Sequence, residues 1–410
     1  MEENILAMHI SSFPDKSNTF VVNEVIEMVS RGISVKIYSE SLHDTSLFPE
    51  LEKAINDGSV ELIDTIKEGL YRWRAPAENK IPLLDNTYRQ ILLNESHFKK
   101  NVEKFERDAL DRCETVFGDM AKRIKEDGAS VIYSPFASHD ADICMMLSEL
   151  TGLPFFFSCH SKDLYSSFHY GSIKCEKAQG IFCITNYNKE FLKRSYGAED
   201  SKLHIKRVNF LEKDNIKKFT PGFEYIYSAG RLYEMKGFEW SIKAFSKLIS
   251  KKGNENLHYI ISGSGESRDS LVNLVSSLGI EDRVHIEEHL SNEAVLSYIK
   301  GSLFCVLTSV ISPDGDREGL PTFFIESMSL GKPCIGTNYS GIPEIIDHGK
   351  NGFVCEPKNI PDIFRCMKKL QEECDKEDQA FSHNCKLKVM ELFDNKFNTS
   401  VLVGQMFPNL

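Results

Sequence analysis

Short apolar runs alternate with amphipathic stretches along most of this chain. Residues 4–10 form a continuous apolar run of strand length. In residues 19–31, Val21, Val25 and Met28 recur at helical spacing, and Gly32 stops the pattern. Residues 34–39 read as the next strand. A strand, a crossover helix and a second strand predict a parallel sheet. The alternation resumes with strand 130–133, helix 141–151, strand 154–159, strand 180–185 and helix 188–196. Residues 65–128 in between are charged and irregular, with room for two or three helices, and Tyr71-Arg72-Trp73-Arg74 follows neither period.

A polar break at 206–222, carrying Pro221-Gly222, suits an interdomain connection. The second half restarts with strand 223–229, helix 237–250, strand 257–262, helix 268–278 and strand 283–286. Helix 292–300, strand 303–308, helix 321–330 and strand 333–336 follow. Two such runs predict an α/β protein of two doubly wound, Rossmann-like parallel-sheet domains. The expected domains are residues 1–207 and 208–392, with a ligand in the cleft between them.

Composition narrows the partners. The 410 residues exceed one ordinary core, and 41% hydrophobic with 27% charged residues is ordinarily globular. A formal net charge of −11 speaks against a nucleic-acid partner and against general attraction to anionic membranes. Met1-Glu2-Glu3-Asn4 lacks the basic and apolar regions of a secretory signal. The longest apolar runs, such as 302–310, fall far short of the roughly 20 residues that span a bilayer. A cytoplasmic location is expected. Eleven cysteines occur without a Cys-x-x-Cys pair, and Cys183, Cys305, Cys334 and Cys355 fall in expected strands or at their edges. Buried, reduced thiols fit this better than disulfides or a zinc site.

Candidate chemistry concentrates in residues 309–357. Seven residues separate Glu318 from Glu326, and Gly319-Leu320-Pro321 follows the first Glu. Pro321 suits the first position of a helix and Gly331 its end. Glu318 then lies on the entering loop and Glu326 inside the helix. The helix N-terminus between them favours anionic or oxygen-rich ligands. In isolation, two solvated Glu residues on a capped surface helix explain the same pattern. The stretch Ser228-Ala229-Gly230-Arg231-Leu232-Tyr233-Glu234-Met235-Lys236-Gly237 places Arg231 on the loop after a strand and Lys236 before a helix. The two cations could converge on one diphosphate, or be solvated. His160 closes an apolar strand and precedes Ser161-Lys162-Asp163. It could serve a reacting group in the cleft or be structural. Ser17 or Asn18 could cap the first helix.

Other signals are weaker. Gly263-Ser264-Gly265-Glu266 lacks the third Gly of a dinucleotide fingerprint and reads as a strand-to-helix turn. Asp314-Gly315-Asp316 lacks EF-hand spacing, and no metal site is expected.

Taken in order, these segments have a resemblance. Glu318-x7-Glu326 with Gly319-Leu320-Pro321, Gly331-Lys332-Pro333 and Gly341-Ile342-Pro343-Glu344 resembles the donor-site signature of family 4 retaining glycosyltransferases. Ser17-x-Thr19-Phe20 followed by Asn23-Glu24 resembles the colanic-acid and amylovoran exopolysaccharide branch. The chain departs from the family in lacking a Gly pair in residues 11–18 and in carrying Ser161 where relatives usually have Gly.

The resemblance implies the GT-B fold, with segment 393–410 returning to the first domain. It also implies a nucleotide-diphosphate sugar as co-substrate, no metal or other cofactor, and a glycan or lipid-linked saccharide acceptor. Arg231 and Lys236 would hold the donor diphosphate, and Glu326 the ribose hydroxyls. Glu318, helped by the backbone of Gly319-Leu320-Pro321, would face the donor sugar. His160 with Asp163 would orient that sugar, and Ser17 and Asn18 would contact acceptor or donor. No protein nucleophile is implied; the leaving phosphate would assist acceptor deprotonation.

The rival readings are an epimerase or phosphorylase on the same fold and a non-catalytic nucleotide-sugar-binding protein. A nicotinamide oxidoreductase lacks its glycine fingerprint. Lys99-Lys100 with Lys104, and Lys189, Lys193 and Arg194, read either as solvated helix faces or as peripheral membrane contact through the first domain, at the inner face of the membrane.

Overall fold

The computed structural model describes residues 4–15, 18–70, 116–166, 168, 170–210, 215–313, 315–374 and 379–410. Among these residues thirteen strands lie in two sheets. The first sheet holds β1 (Ile5–Phe13), β2 (Ser34–Leu42), β3 (Val60–Asp64), β4 (Val131–Ser134), β5 (Phe155–Cys159), β6 (Gly180–Cys183) and β7 (Leu203–Ile205), in the order β3-β2-β1-β4-β5-β6-β7. The second holds β8 (Glu224–Ala229), β9 (Leu257–Ser262), β10 (Val284–Glu287), β11 (Cys305–Leu307), β12 (Cys334–Thr337) and β13 (Gly352–Cys355), in the order β10-β9-β8-β11-β12-β13.

Neighbouring strands pair in parallel in both sheets. The order reverses between β1 and β4, and again between β8 and β11. Ligands of open α/β sheets bind beyond the carboxyl ends of the strands at such reversals. β4, β5 and β6 are buried along their whole length, as strands covered by helices on both faces must be.

β1 and β2 run three residues beyond their apolar cores. Ser12 still pairs with Ser41 and Phe13 with Leu42, so the ladder continues after the hydrophobic pattern has ended. The sequence pattern places only Cys355 of the four-residue β13 in a strand or at its edge, and β3 and β7, 5 and 3 residues long, have no counterpart in it. The same holds for the helices Pro49–Asn56, Ile360–Cys374 and Ala380–Leu392. Residues 116–126 are helical. Tyr71–Arg74, like Lys99, Lys100 and Lys104, lie outside the described residues.

The polar break at 206–222 starts buried and becomes exposed at Asn215, Lys217 and Lys218. Lys206, Arg207 and Asn209 are buried. Lys206 pairs with Glu24 of the first helix, and Glu24 also accepts from the Tyr133 hydroxyl at 2.7 Å. Arg207 donates its amide to Asn398 at 2.8 Å. The chain crosses back in helix Asn395–Met406. Leu402, Val403 and Met406, with Phe407, join the apolar cluster of Leu6, Met8, Val21 and Val25 under the first sheet. Among the described residues all ten cysteines are free thiols, and no helix is long and apolar enough to cross a membrane.

Candidate active site

The loop after β8 is fixed by close backbone packing. Gly237 adopts φ 66°, and a Cβ there would lie 1.9 Å from the carbonyl oxygen of Thr308. Only glycine fits, and the contact presses this loop against the end of β11. Lys236 is thereby carried to Glu318, on the loop that follows β11, and the two form an ion pair. Both side chains are largely buried, at 14% and 9% exposure. Charge-assisted contacts in such surroundings are stronger than at a surface. Arg231 shares the loop after β8 but is exposed, its guanidinium 5.2 Å from the Tyr233 ring centre.

The segment after Glu318 enters helix Thr322–Ser329. Pro321 stands at the N-cap with ψ 115°, one residue before the helical position expected for it. Its ring presets φ but not ψ, and the incoming loop holds ψ extended. Among the described residues the amides of Gly319 and Leu320 have no hydrogen-bond partner. They are free to donate to a ligand oxygen. Glu326 lies within the helix and accepts from Asn292 at 2.9 Å. Gly331 ends the helix in the left-handed region at φ 72°. Its successor Lys332 donates to Ser327 at 2.9 Å, closing a Schellman-type cap.

The first half supplies His160, directly after β5. Its ring lies between Phe20 and Phe136, with centroids 5.0 and 5.2 Å away. Nδ1 is 3.5 Å from Asp163 Oδ2, and that nitrogen is buried without a hydrogen bond. Asp163 accepts from the amides of His160 (3.0 Å) and Ala137 (3.0 Å). Burial alone would raise the Asp163 carboxyl, but the His160 side chain and these amides outweigh it and hold the group below its usual range. The carboxylate beside the ring favours the orientation that turns Nδ1 toward it.

The two halves meet at this point. A Cβ on Gly319 would lie 3.0 Å from the His160 carbonyl oxygen and 3.0 Å from Ser161 Cβ. Lys236, Glu318, Gly319, His160 and Asp163 therefore belong to one neighbourhood, reached from both sheets. Leu320 and Pro321 are buried behind it.

Asn18 takes the N-cap position of helix Thr19–Ser30, but its side chain makes no cap bond, so the capping expectation fails for it. Ser17 and Asp314 lie outside the described residues. Gly263 and Gly265 form the turn after β9, pressed on Gly230 and Leu232, as the strand-to-helix reading expects. Lys189 and Lys193 pair with Asp200 at 3.3 and 3.0 Å, which suits a solvated helix face. Among the described residues no group of three His, Cys, Asp or Glu side chains could hold a metal.

Several contributors are invisible to motif reading. Buried Asn188 donates to the His160 carbonyl at 2.6 Å and accepts from Tyr165 at 2.7 Å. Arg317 lies over Tyr165 and Phe191, at 5.0 and 5.7 Å, and donates to Tyr187 at 3.1 Å. Aromatic and amide partners of this kind recur too often along the chain to be singled out by spacing.

Two Rossmann-like domains with a polar site where their strand ends face each other define the GT-B class of fold. Residues 209–387 match the model of the family of glycosyl transferases group 1. An uncharacterized glycosyltransferase of Haemophilus influenzae is 34% identical over 141 residues, covering 34% of this chain and 37% of that protein. The amylovoran biosynthesis glycosyltransferase AmsK of Erwinia amylovora is 31% identical over 129 residues, covering 32% of this chain and 31% of its own. The chain thus spans about a third of the length of the curated relatives it matches. The structure of Anabaena HepE in complex with UDP has a TM-score of 0.66 at 14% identity, covering 99% of this chain and 100% of that one.

Proposed function

We propose that the protein is a retaining glycosyltransferase. It moves a sugar from a nucleotide-diphosphate donor to a glycan or lipid-linked acceptor in surface polysaccharide biosynthesis. The observation that carries this is the buried Lys236–Glu318 pair beside the free amides of Gly319 and Leu320, with His160 delivered from the opposite domain. The naming of AmsK for amylovoran biosynthesis supports the acceptor class, and the UDP bound to HepE supports the donor class.

Lys236 and Glu318 neutralise each other. A donor diphosphate offers Lys236 a second anionic partner, joined by Arg231 from the same loop. Charge accumulates on the diphosphate as the sugar–oxygen bond breaks, and cations already in place stabilise that state more than the ground state. Glu318, relieved of part of its pairing, accepts from the sugar's hydroxyls. Glu326 holds the ribose. The Asp163-oriented imidazole of His160 faces the sugar from the other domain, and Asn18 lies on the neighbouring loop toward the acceptor. No metal takes part; the leaving phosphate accepts the acceptor's proton. The protein acts in the cytoplasm, where nucleotide sugars are available.

The test is Glu318→Gln, assayed by transfer from a panel of nucleotide sugars and by calorimetric binding of the matching diphosphates. Turnover falls about a hundredfold, while diphosphate affinity stays within a few-fold of the parent. Near-normal transfer by the variant would remove Glu318 from the site.

A further inference from the structure

Glu344 lies far along the chain from His160 and contacts no residue assigned to the donor. Its carboxylate nevertheless accepts four hydrogen bonds. It sits on the segment after β12, in the short helix Ile342–Ile345 of the second domain. Across the cleft, Glu344 Oε1 accepts from the amide of Tyr187 at 3.1 Å. Oε2 accepts from the amide of Asn186 at 3.1 Å and its side-chain amide at 3.0 Å. Arg207 Nη2 adds a bond to Oε2 at 2.7 Å. These amides open helix Asn186–Tyr196, whose N-terminus favours an anion. The anion comes from the other domain.

The contact joins three parts of the molecule. Arg207 stands where the chain leaves the first domain, and its own amide donates to Asn398 on the returning helix. Its Nη1 bonds the carbonyl of Ile184, just before the clamped helix. On the other side, the amide of Gly341 donates to the carbonyl of Gly319 at 3.1 Å, and the Ser340 hydroxyl donates to the same oxygen at 3.3 Å. Gly319 is next to Glu318 and leans on the His160 carbonyl. A short chain of bonds therefore runs from both interdomain crossings, through Glu344 and Gly341, to the donor loop. Asn188, on the same clamped helix, holds the His160 carbonyl from the other end at 2.6 Å.

We propose that Glu344 is a positioning residue for sugar transfer: clamped by Asn186, Tyr187 and Arg207, it locks the closed domain arrangement in which His160 faces Glu318. This rests on the transferase reading. The donor diphosphate is held by the second domain alone, so the clamp contributes little to its binding. Transfer needs groups from both domains, so the clamp governs turnover. Glutamine keeps the shape of Glu344 but loses its charge, and its NH2 group replaces one of the two accepting oxygens, opposing the donors on that side and weakening the bond to Arg207.

The experiment compares the full-length parent, Glu344→Gln and Glu344→Asp. Uridine, guanosine and adenosine diphosphates serve as binding probes, and their glucose conjugates as donors. Transfer and diphosphate Kd are measured, and the small-angle scattering radius of gyration is taken with saturating diphosphate. The expected result for Glu344→Gln is a kcat at least tenfold lower, a diphosphate Kd within twofold of the parent, and a larger radius of gyration. Glu344→Asp, which keeps the charge, recovers part of the turnover. An unchanged kcat and radius in Glu344→Gln would overturn the proposal. So would a Kd that weakens in step with kcat, since Glu344 would then act on the donor. If Glu344→Gln does not fold, Glu344→Asp decides by the same kcat-against-Kd split: a loss of kcat at constant Kd supports the clamp, and parent-like values of both overturn it. A parent that binds none of the diphosphates and transfers no sugar would instead count against the transferase reading.

Discussion

Lys236 and Glu318 lie 82 residues apart in the chain, yet each is the other's charge partner and both are largely buried. Motif reading gave them separate tasks on phosphate and sugar. Contact makes the tasks interdependent, because whatever engages the lysine changes what the glutamate can accept. His160 has a comparable dependence on Asp163, which keeps its charge against burial by means of the imidazole and two backbone amides. His160→Ala should lower kcat by about tenfold or more while diphosphate affinity holds, in the range of general acid–base and orienting groups; a steady-state assay alongside calorimetry decides it, and unchanged turnover would make the ring structural.

A different carboxyl offers a pH test. Burial raises Glu40 above its usual range, with the charge of Asp140 adding to the effect and His9 opposing it. An acid raised in the folded state favours folding fully below its unfolded value, near pH 4.3, and loses that advantage as pH rises through the folded value. At pH 7 the charged, half-buried carboxylate therefore costs stability. Glu40→Gln should raise the melting temperature at pH 7 and show no gain below about pH 4. Equal gains at both would assign the effect to packing.

Among the elements, helix Asn186–Tyr196 has the most consequences. Thr185 caps it by accepting from the amide of Asn188 at 2.9 Å, and donates its own hydroxyl to the Asn188 side chain at 2.6 Å. Asn188 in turn fixes the His160 carbonyl. Thr185→Ala should cost about 1 kcal/mol of stability, the usual loss of a cap. It should also lower turnover, because Asn188 loses its orientation. Thermal melts and a transfer assay on the same sample separate the two effects; a stability loss with full activity would limit Thr185 to capping.

Helix Thr322–Ser329 shows what pattern can and cannot settle about an element. Its glycine stop lies where the sequence places it, because only glycine enters the left-handed region cheaply. Its start is one residue late, because the turn at Pro321 depends on what the preceding loop meets. β3 and β7 escape the pattern for a related reason: strands of 5 and 3 residues carry too few positions to show a period and form by pairing with a neighbour already in place.

At the scale of the whole molecule, the first domain is completed by the end of the chain. Leu402 is fully buried in a cluster that includes residues of β1, β2 and the first helix. Leu402→Ala should cost about 2–4 kcal/mol, and differential scanning calorimetry should place that loss in the unfolding of the first domain. A loss confined to the second domain's transition would contradict the packing. The same crossing carries Asn398 to Arg207 and hence to Glu344, so the segment that completes the core also bears on domain closure.

By itself the sequence determined the alternation of strands and helices, the two parallel sheets and the local donor signature. Those are carried by hydrophobic period, glycine and proline positions, and residues close together in the chain. Only the tertiary structure decided that Lys236 rests on Glu318, that His160 is held by Asp163 and Asn188, and that Glu344 fills a helix terminus in the other domain. Each of these joins residues with no fixed spacing, brought together by strand order and by two chain crossings, and neither period nor motif encodes which distant charge will fill which buried gap.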